Sequence, residues 1–96
     1  MNNFKTVAEL IESPNRWTQR ASARTILGDP CDPNHPDAVS FCLIGAVQHV
    51  YPDYASRSDA YTKLAPVVGI GAISAFNDNP KRTHAEILDV VRKANI

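Results

Sequence analysis

A cysteine and a histidine are the first candidates for chemistry in this sequence. Cys42 and His84 suggest a thiol–imidazole pair, with Asn77 or Asp78 available to orient the ring, and such a pair activates the nucleophile of cysteine hydrolases. A reactive thiolate prefers polar surroundings at the start of a helix, whereas Cys42 lies on the most apolar stripe of the chain. We therefore expect a buried structural cysteine. We assign no catalytic residue and keep a small cysteine hydrolase as an alternative function.

Two other familiar ligand sites are matched only in part. Cys31 and His35 have a Cys-x3-His spacing, but nothing later in the chain repeats it, so we predict no metal site. Residues 69–74 begin like a dinucleotide-binding loop, yet the third glycine is missing and Pro66 stands where the required strand would end. We predict no cofactor and interpret this segment as an apolar connector.

The polar segment 77–86 is the strongest candidate for a binding site. The run Asn77-Asp78-Asn79-Pro80 is typical of a turn. Thr83 and Glu86 have the spacing of a capping box, which marks the first turn of a helix. A turn, a capping box and solvated charges would by themselves account for every residue of this segment.

The same segment also suits a ligand. Free amides at a helix N-terminus can hold an anion, Arg82 offers a planar fork for a carboxylate or phosphate, and His84 titrates near neutral pH. Trp17 is the only tryptophan; it suits a core anchor, and also a binding face beside Arg16 and Arg20. The predicted binding residues are Asn77, Asp78, Arg82, Thr83, His84 and Trp17.

The elements at the N-terminal end are predicted from periodicity and turn signals. A helix over residues 4–13 has an apolar face at helical spacing, with Asn2 or Asn3 as its cap and Pro14 as its end. That face consists of Phe4, Val7, Ala8 and Ile11. Residues 17–32 predict a short β-hairpin, with a two-turn helix over 17–25 as the alternative.

The most apolar helix is predicted over residues 38–50, with Asp37 as its cap. Gly45 in its middle costs about 1 kcal/mol relative to alanine, so we expect another backbone to approach closely there. An unbroken apolar stripe predicts that this helix is central and buried. The stripe consists of Val39, Cys42, Leu43, Ala46, Val47 and Val50.

The C-terminal half predicts three further helical segments. One begins at Ser56 or Ser58 and ends at Pro66, a second is a short turn with Ile73 and Phe76, and the third begins at Thr83. The last helix should bury Ile87, Leu88, Val91 and Ala94. The predicted fold is mainly α: a single small domain, 1–96, of four or five helices around the central apolar helix, with one short β-hairpin.

Composition narrows the classes of function. The chain of 96 residues has equal numbers of acidic and basic residues, with no net charge, which argues against general nucleic-acid binding. No apolar run approaches the roughly 20 residues of a membrane-spanning helix, and Met1-Asn2-Asn3-Phe4-Lys5 lacks the layout of a signal peptide. We expect a cytoplasmic protein with no membrane partner and with reduced cysteines.

Four segments together resemble a family of small uncharacterised bacterial and phage proteins. The resemblance extends from about Leu10 to Ala94, with Phe76 where the family usually has tryptophan and Arg16 where it usually has glycine. A domain of unknown function implies no activity, cofactor or partner. The four segments are Trp17-Thr18-Gln19, Ala38-Val39-Ser40-Phe41-Cys42-Leu43-Ile44-Gly45-Ala46, Phe76-Asn77-Asp78 and Arg82-Thr83-His84-Ala85-Glu86-Ile87.

The predicted function is a non-enzymatic binding or regulatory module, carried by phage or mobile elements as the resemblance implies. Its partner would be a protein or an anionic small ligand. Two alternatives remain: a small hydrolase that uses Cys42 and His84, and a binder or sponge for an anionic small ligand at the Arg82–His84 helix N-terminus.

Overall fold

A computed structural model describes residues 4–69 and 73–96 of the chain. Within these ranges the chain forms five α-helices and a small antiparallel sheet of three strands. The helices are α1 (Val7–Leu10), α2 (Leu43–Val50), α3 (Tyr54–Val68), α4 (Ile73–Asp78) and α5 (His84–Ala94), and the strands are β1 (Ala23–Thr25), β2 (Pro30–Cys31) and β3 (Ala38–Phe41). The expected helical domain is confirmed in outline only, because the sheet is larger than a hairpin.

The first helix is a single turn instead of the predicted 4–13. Its N-cap is Thr6, whose hydroxyl accepts a hydrogen bond from the Glu9 amide at 3.1 Å; the predicted caps, Asn2 and Asn3, lie outside the described residues. After Ile11 the chain turns, and Pro14 opens a short 3-10 helix, as suits a residue with a fixed φ and no N–H.

The hairpin predicted within residues 17–32 is confirmed, and the alternative two-turn helix is wrong. β1 pairs with β2 through a turn in which Gly28 has a φ of 88°, a conformation that glycine adopts without steric cost. β1 also pairs with β3, which gives the strand order β2-β1-β3. The tip of the hairpin exposes Ile26 and Leu27.

The prediction of one helix over residues 38–50, capped at Asp37, is wrong in its first half. Residues 38–41 form β3, and the helix begins at Leu43. Val39, expected in the buried stripe, is 37% exposed because it is the extra residue where the β1–β3 register shifts. Pairing with a distant strand outweighs a local helical pattern in this branched and aromatic segment.

The rest of the predicted helix, α2, is the centre of the fold. It packs against α1, α3, α4 and β3. The close backbone approach expected at Gly45 is confirmed, because a Cβ placed there would lie 1.8 Å from the Ser22 carbonyl oxygen. The largest fully buried hydrophobic side chains around α2 are Phe41, Leu10, Ile11, Leu43, Leu64, Ile87, Val7, Val47 and Val91.

The third helix is longer than predicted at both ends. It begins after Asp53, whose carboxylate accepts a hydrogen bond from the Ser56 amide at 2.9 Å. It then passes through Pro66 and ends at Gly69. Val67 and Val68, beyond the predicted end at Pro66, therefore belong to α3, and residues 70–72 of the predicted connector lie outside the described ranges.

The last two helices begin close to where the sequence predicts. Ile73 and Phe76 lie in α4, but Asn77 and Asp78, expected in a turn, form its final residues. The capping box of α5 is confirmed: the Thr83 hydroxyl accepts from the Glu86 amide at 3.2 Å, and the Glu86 carboxylate accepts from the Thr83 amide at 2.9 Å. Of the predicted buried face of α5, Ile87, Val91 and Ala94 are buried, and Leu88 is half-buried. None of the helices within the described ranges has the length and hydropathy to cross a membrane.

Candidate functional site

The side chain of Asn77 joins three separate segments of the chain. Its Oδ1 accepts hydrogen bonds from Trp17 Nε1 at 2.8 Å and from the Leu43 amide at 3.0 Å. Its Nδ2 donates to the Thr18 carbonyl oxygen at 3.1 Å and to Asp78 Oδ1 at 2.9 Å. The residue is 1% exposed, so its hydrogen-bonding capacity is used inside the fold. Asn77, a predicted binding residue, therefore positions its neighbours through a side chain whose oxygen and nitrogen are both bonded inside the fold.

Trp17 is half-buried, and its indole nitrogen is committed to Asn77. Its ring centroid lies 6.3 Å from that of His84, at an angle of 49°. Gln19 belongs to the same network, because its Nε2 donates to the carbonyl oxygens of Asn77 and Asn79, both at 2.8 Å. Gln19 is not among the predicted binding residues, although it belongs to one of the segments that carry the family resemblance.

At the head of α5, the side chains expected to meet a ligand are bonded within the fold. Arg82 Nε donates to the Phe76 carbonyl oxygen at 2.9 Å, and the guanidinium lies 3.6 Å from the centroid of the Phe76 ring. A further contact of 3.5 Å joins Arg82 to Glu86. His84 Nε2 faces the Ile11 carbonyl oxygen at 2.6 Å. Thr83 caps the helix, so the side chains of Arg82, Thr83 and His84 are all engaged in contacts within the fold.

Cys42 is the N-cap of α2, not a residue of its apolar stripe, and it is half-buried. Its sulfur accepts a hydrogen bond from the Gly45 amide at 3.2 Å. Burial raises the pKa of the thiol, and the Asp78 carboxylate raises it further, against the lowering by the Gly45 amide. Cys42 and His84 share no hydrogen bond within the described residues, and the ring nitrogen of His84 is held at Ile11. The geometry offers no assembled thiol–imidazole pair.

Cys42 opens instead into a cavity of about 270 Å³ that the sequence analysis did not anticipate. Three parts of the chain meet around it: the loop before β1, the head of α2 and one face of α4. Its lining residues are Arg20, Ala21, Ser22, Cys42, Ile44, Ser74, Asn77 and Asp78. We call this space the Arg20–Asp78 cavity.

Asp78 holds the loop side of the Arg20–Asp78 cavity in place. Its Oδ1 accepts from the Arg20 amide at 2.9 Å and from Asn77 Nδ2 at the same distance. Arg20 has a φ of 65°, a left-handed conformation that costs a residue with a side chain about 1–2 kcal/mol. Within the described part of the chain, the exposed guanidinium of Arg20 makes no hydrogen bond or ion pair.

Sequence reasoning found Asp78 but missed Arg20, Ser22 and Ser74 as partners in one site. The only local signal was the Asn77-Asp78 pair at a helix end. A left-handed φ at an arginine leaves no mark in the sequence, and the three contributing segments are far apart along the chain. The cavity therefore appears only once the chain has folded.

A larger groove, of about 590 Å³, lies along α3 beside Tyr54, Tyr61 and Gln48. Its one cation is already occupied, because Arg57 donates to the carbonyl oxygens of Tyr51 at 2.7 Å and Gln48 at 3.0 Å. The smaller Arg20–Asp78 cavity is therefore the better-equipped site for a polar ligand. Residues 4–69 and 73–96 contain no group of three or more His, Cys, Asp or Glu side chains placed to hold a metal ion.

Comparison with known proteins identifies the family of this chain. Residues 2–95 match the family model described as a family of unknown function, DUF6197. No curated protein and no solved structure matches the chain. The match covers nearly the whole sequence, and the Asn77 hydrogen bonds and the Arg82–Phe76 contact join the four segments that carry the resemblance. The chain therefore belongs to the family of unknown function DUF6197.

Proposed function

We propose that this protein is a non-enzymatic binding or regulatory module whose ligand site is the Arg20–Asp78 cavity. One observation carries the proposal: Asp78 fixes the backbone of Arg20 in a left-handed conformation beside the cavity. Strained backbone of this kind clusters at ligand sites, where the surrounding structure holds it in place. The guanidinium of Arg20 is exposed and has no acceptor within the described residues, so it is available to a ligand.

The contacts at the head of α5 favour this site over the Arg82–His84 turn. Arg82 and His84 are bonded to backbone carbonyl oxygens, so a ligand there would have to displace internal hydrogen bonds. The raised pKa of Cys42 keeps the thiol protonated at neutral pH, and a protonated thiol is a poor nucleophile. Both facts support a binding role over hydrolysis.

We also propose a bacterial or phage source and a cytoplasmic location. The motif resemblance supports the first. The second is supported by a composition that includes only two cysteines, since cysteine-rich frameworks are typical of oxidising compartments.

The test is a map of amide chemical shifts when the small-molecule fraction of a bacterial lysate is added to the labelled protein. We expect shifts at the amides of Arg20, Ser22 and Asp78. They should be lost in Asp78→Asn, because this change removes the negative charge from the cavity. Arg92→Ala is the matched control, because Arg92 is exposed on the distant part of α5. Shifts confined to Thr83–Glu86, or no shifts at all, would refute the proposed site.

A further inference from the structure

We propose that the Arg20–Asp78 cavity recognises a small zwitterion of amino-acid size, with the cation of the ligand at Asp78 and its anion at Arg20. This inference rests on the proposed function. The cavity of about 270 Å³ is smaller than the roughly 300–1,000 Å³ of sites for drug-sized ligands. Its volume therefore suits a molecule of a few heavy atoms.

The two charges at the cavity are available, and they do not neutralise each other. Asp78 uses Oδ1 for both of its hydrogen bonds, and within residues 4–69 and 73–96 its Oδ2 has no donor. Arg20 and Asp78 form no ion pair; the pairs in the described ranges are Lys63–Asp59, Arg82–Glu86 and Lys93–Asp89. Two residues of opposite charge thus line one space without pairing with each other.

A ligand with both charges satisfies this arrangement better than a ligand with one. A simple anion at Arg20 would bring a second negative charge towards Asp78 and leave Oδ2 of that carboxylate partly desolvated without a donor. A simple amine at Asp78 would bring a second positive charge towards Arg20 and leave its guanidinium without an acceptor. A ligand with one cation and one anion pairs each group and keeps the site neutral.

The remaining walls add no further charge. Ser74 and Asp78 are four residues apart on α4, so both lie on the face that borders the cavity. Ser22 supplies a second hydroxyl, and Ile44 an apolar wall. The Cys42 thiol stays neutral near pH 7 because burial raises its pKa. Specificity for charge therefore lies with Arg20 and Asp78.

The experiment is an NMR titration of the full chain with glycine, β-alanine and 4-aminobutyrate, which space the two charges differently. Propionate and ethylamine are the single-charge controls. We expect at least one amino acid to bind with a Kd about tenfold lower than either control, since charge-assisted contacts at both ends add. Arg20→Gln and Asp78→Asn should each raise that Kd about tenfold, while Arg92→Ala and Asp29→Asn leave it unchanged.

The outcomes separate this inference from the proposed function. If propionate binds as tightly as β-alanine, or if Arg20→Gln leaves amino-acid binding intact, the zwitterion is wrong. The zwitterion is also wrong if the lysate fraction shifts the cavity amides and no amino acid does. In that case the cavity is still a binding site, and the proposed function stands. If neither the amino acids nor the lysate fraction shifts them, both proposals fail. Arg20→Gln keeps the test valid should Asp78→Asn unfold.

Discussion

Asn77 is a single residue on which the geometry of the site depends, because its amide makes four hydrogen bonds. Asn77→Ala would leave the Trp17 indole N–H, the Leu43 amide and the Thr18 carbonyl without their partner. Each buried polar group left unpaired costs about 1–3 kcal/mol, so we expect a total loss of at least about 3 kcal/mol. Urea denaturation measures this loss as a shift in the midpoint.

A matched control is Asn34→Ala, because the side chain of Asn34 is exposed and makes no described hydrogen bond. That variant should stay within about 0.5 kcal/mol of the wild type. A loss below about 1 kcal/mol for Asn77→Ala would mean that water replaces the amide without difficulty, and that the residue does not organise the site.

The reactivity of Cys42 is a second property set by individual residues. Burial and then the Asp78 carboxylate raise the pKa of the thiol, so the thiolate fraction near pH 7 is low and alkylation should be slow in the native state. In a Cys31→Ser background, Asp78→Asn should lower this pKa and move the rate–pH profile to lower pH. Iodoacetamide kinetics measure the profile, and rapid labelling of the native wild type at pH 7 would contradict the assignment.

At the scale of elements, the head of α5 is stabilised in two ways: by the N-cap at Thr83 and by the contacts of the Arg82 side chain with Phe76. Thr83→Ala should cost about 0.5–2 kcal/mol, because it removes the N-cap acceptor. Arg82→Ala should also cost about 1–2 kcal/mol, because it removes both the contact with the Phe76 ring and the hydrogen bond to its carbonyl. This replaces the expectation from sequence that Arg82 is free for a ligand. Thermal unfolding of both variants checks the prediction.

Arg92→Ala is the control for Arg82, because Arg92 is exposed on the same helix. If Arg82→Ala and Arg92→Ala unfold at the same temperature, the stacking on Phe76 contributes nothing. In that case the prediction from sequence that Arg82 is available to a ligand is supported.

Elements with local signals were predictable, and those that depend on distant partners were not. The capping box at Thr83 and the turn at Gly28 are each determined by a few adjacent residues. By contrast, residues 38–41 carry an apolar spacing that suits a helix, and only β1 decides that they form a strand. The Arg20–Asp78 cavity forms where three segments that are distant in sequence meet. Asp78 was therefore predicted as a binding residue without the other residues of the cavity.

At the scale of the whole molecule, Gly45 sets the distance between α2 and the loop that borders the cavity. Gly45→Ala improves helix propensity by about 1 kcal/mol, but the new methyl group would meet the Ser22 carbonyl oxygen at 1.8 Å. We expect a net loss of about 2 kcal/mol or more, because backbone must move to relieve such a clash. Chemical denaturation checks this, together with amide shifts at Ser22.

Ala55→Gly provides the comparison for Gly45→Ala. Ala55 is exposed in α3, so this change reports the cost of a helical glycine in the same protein, about 1 kcal/mol. A gain in stability for Gly45→Ala would show that the loop moves away readily, and that the walls of the cavity are not fixed by α2.

The Asn77 hydrogen bonds also bear on the order in which the chain assembles. They join residues separated by 60, 59 and 34 positions, and contacts across such spans form only after long loops have closed. In a chevron plot, Asn77→Ala should therefore raise the unfolding rate and leave the folding rate nearly unchanged. An equal or larger drop in the folding rate would place the network in the folding nucleus. If the network forms late, the cavity is completed last, and a bound ligand would slow unfolding without speeding folding.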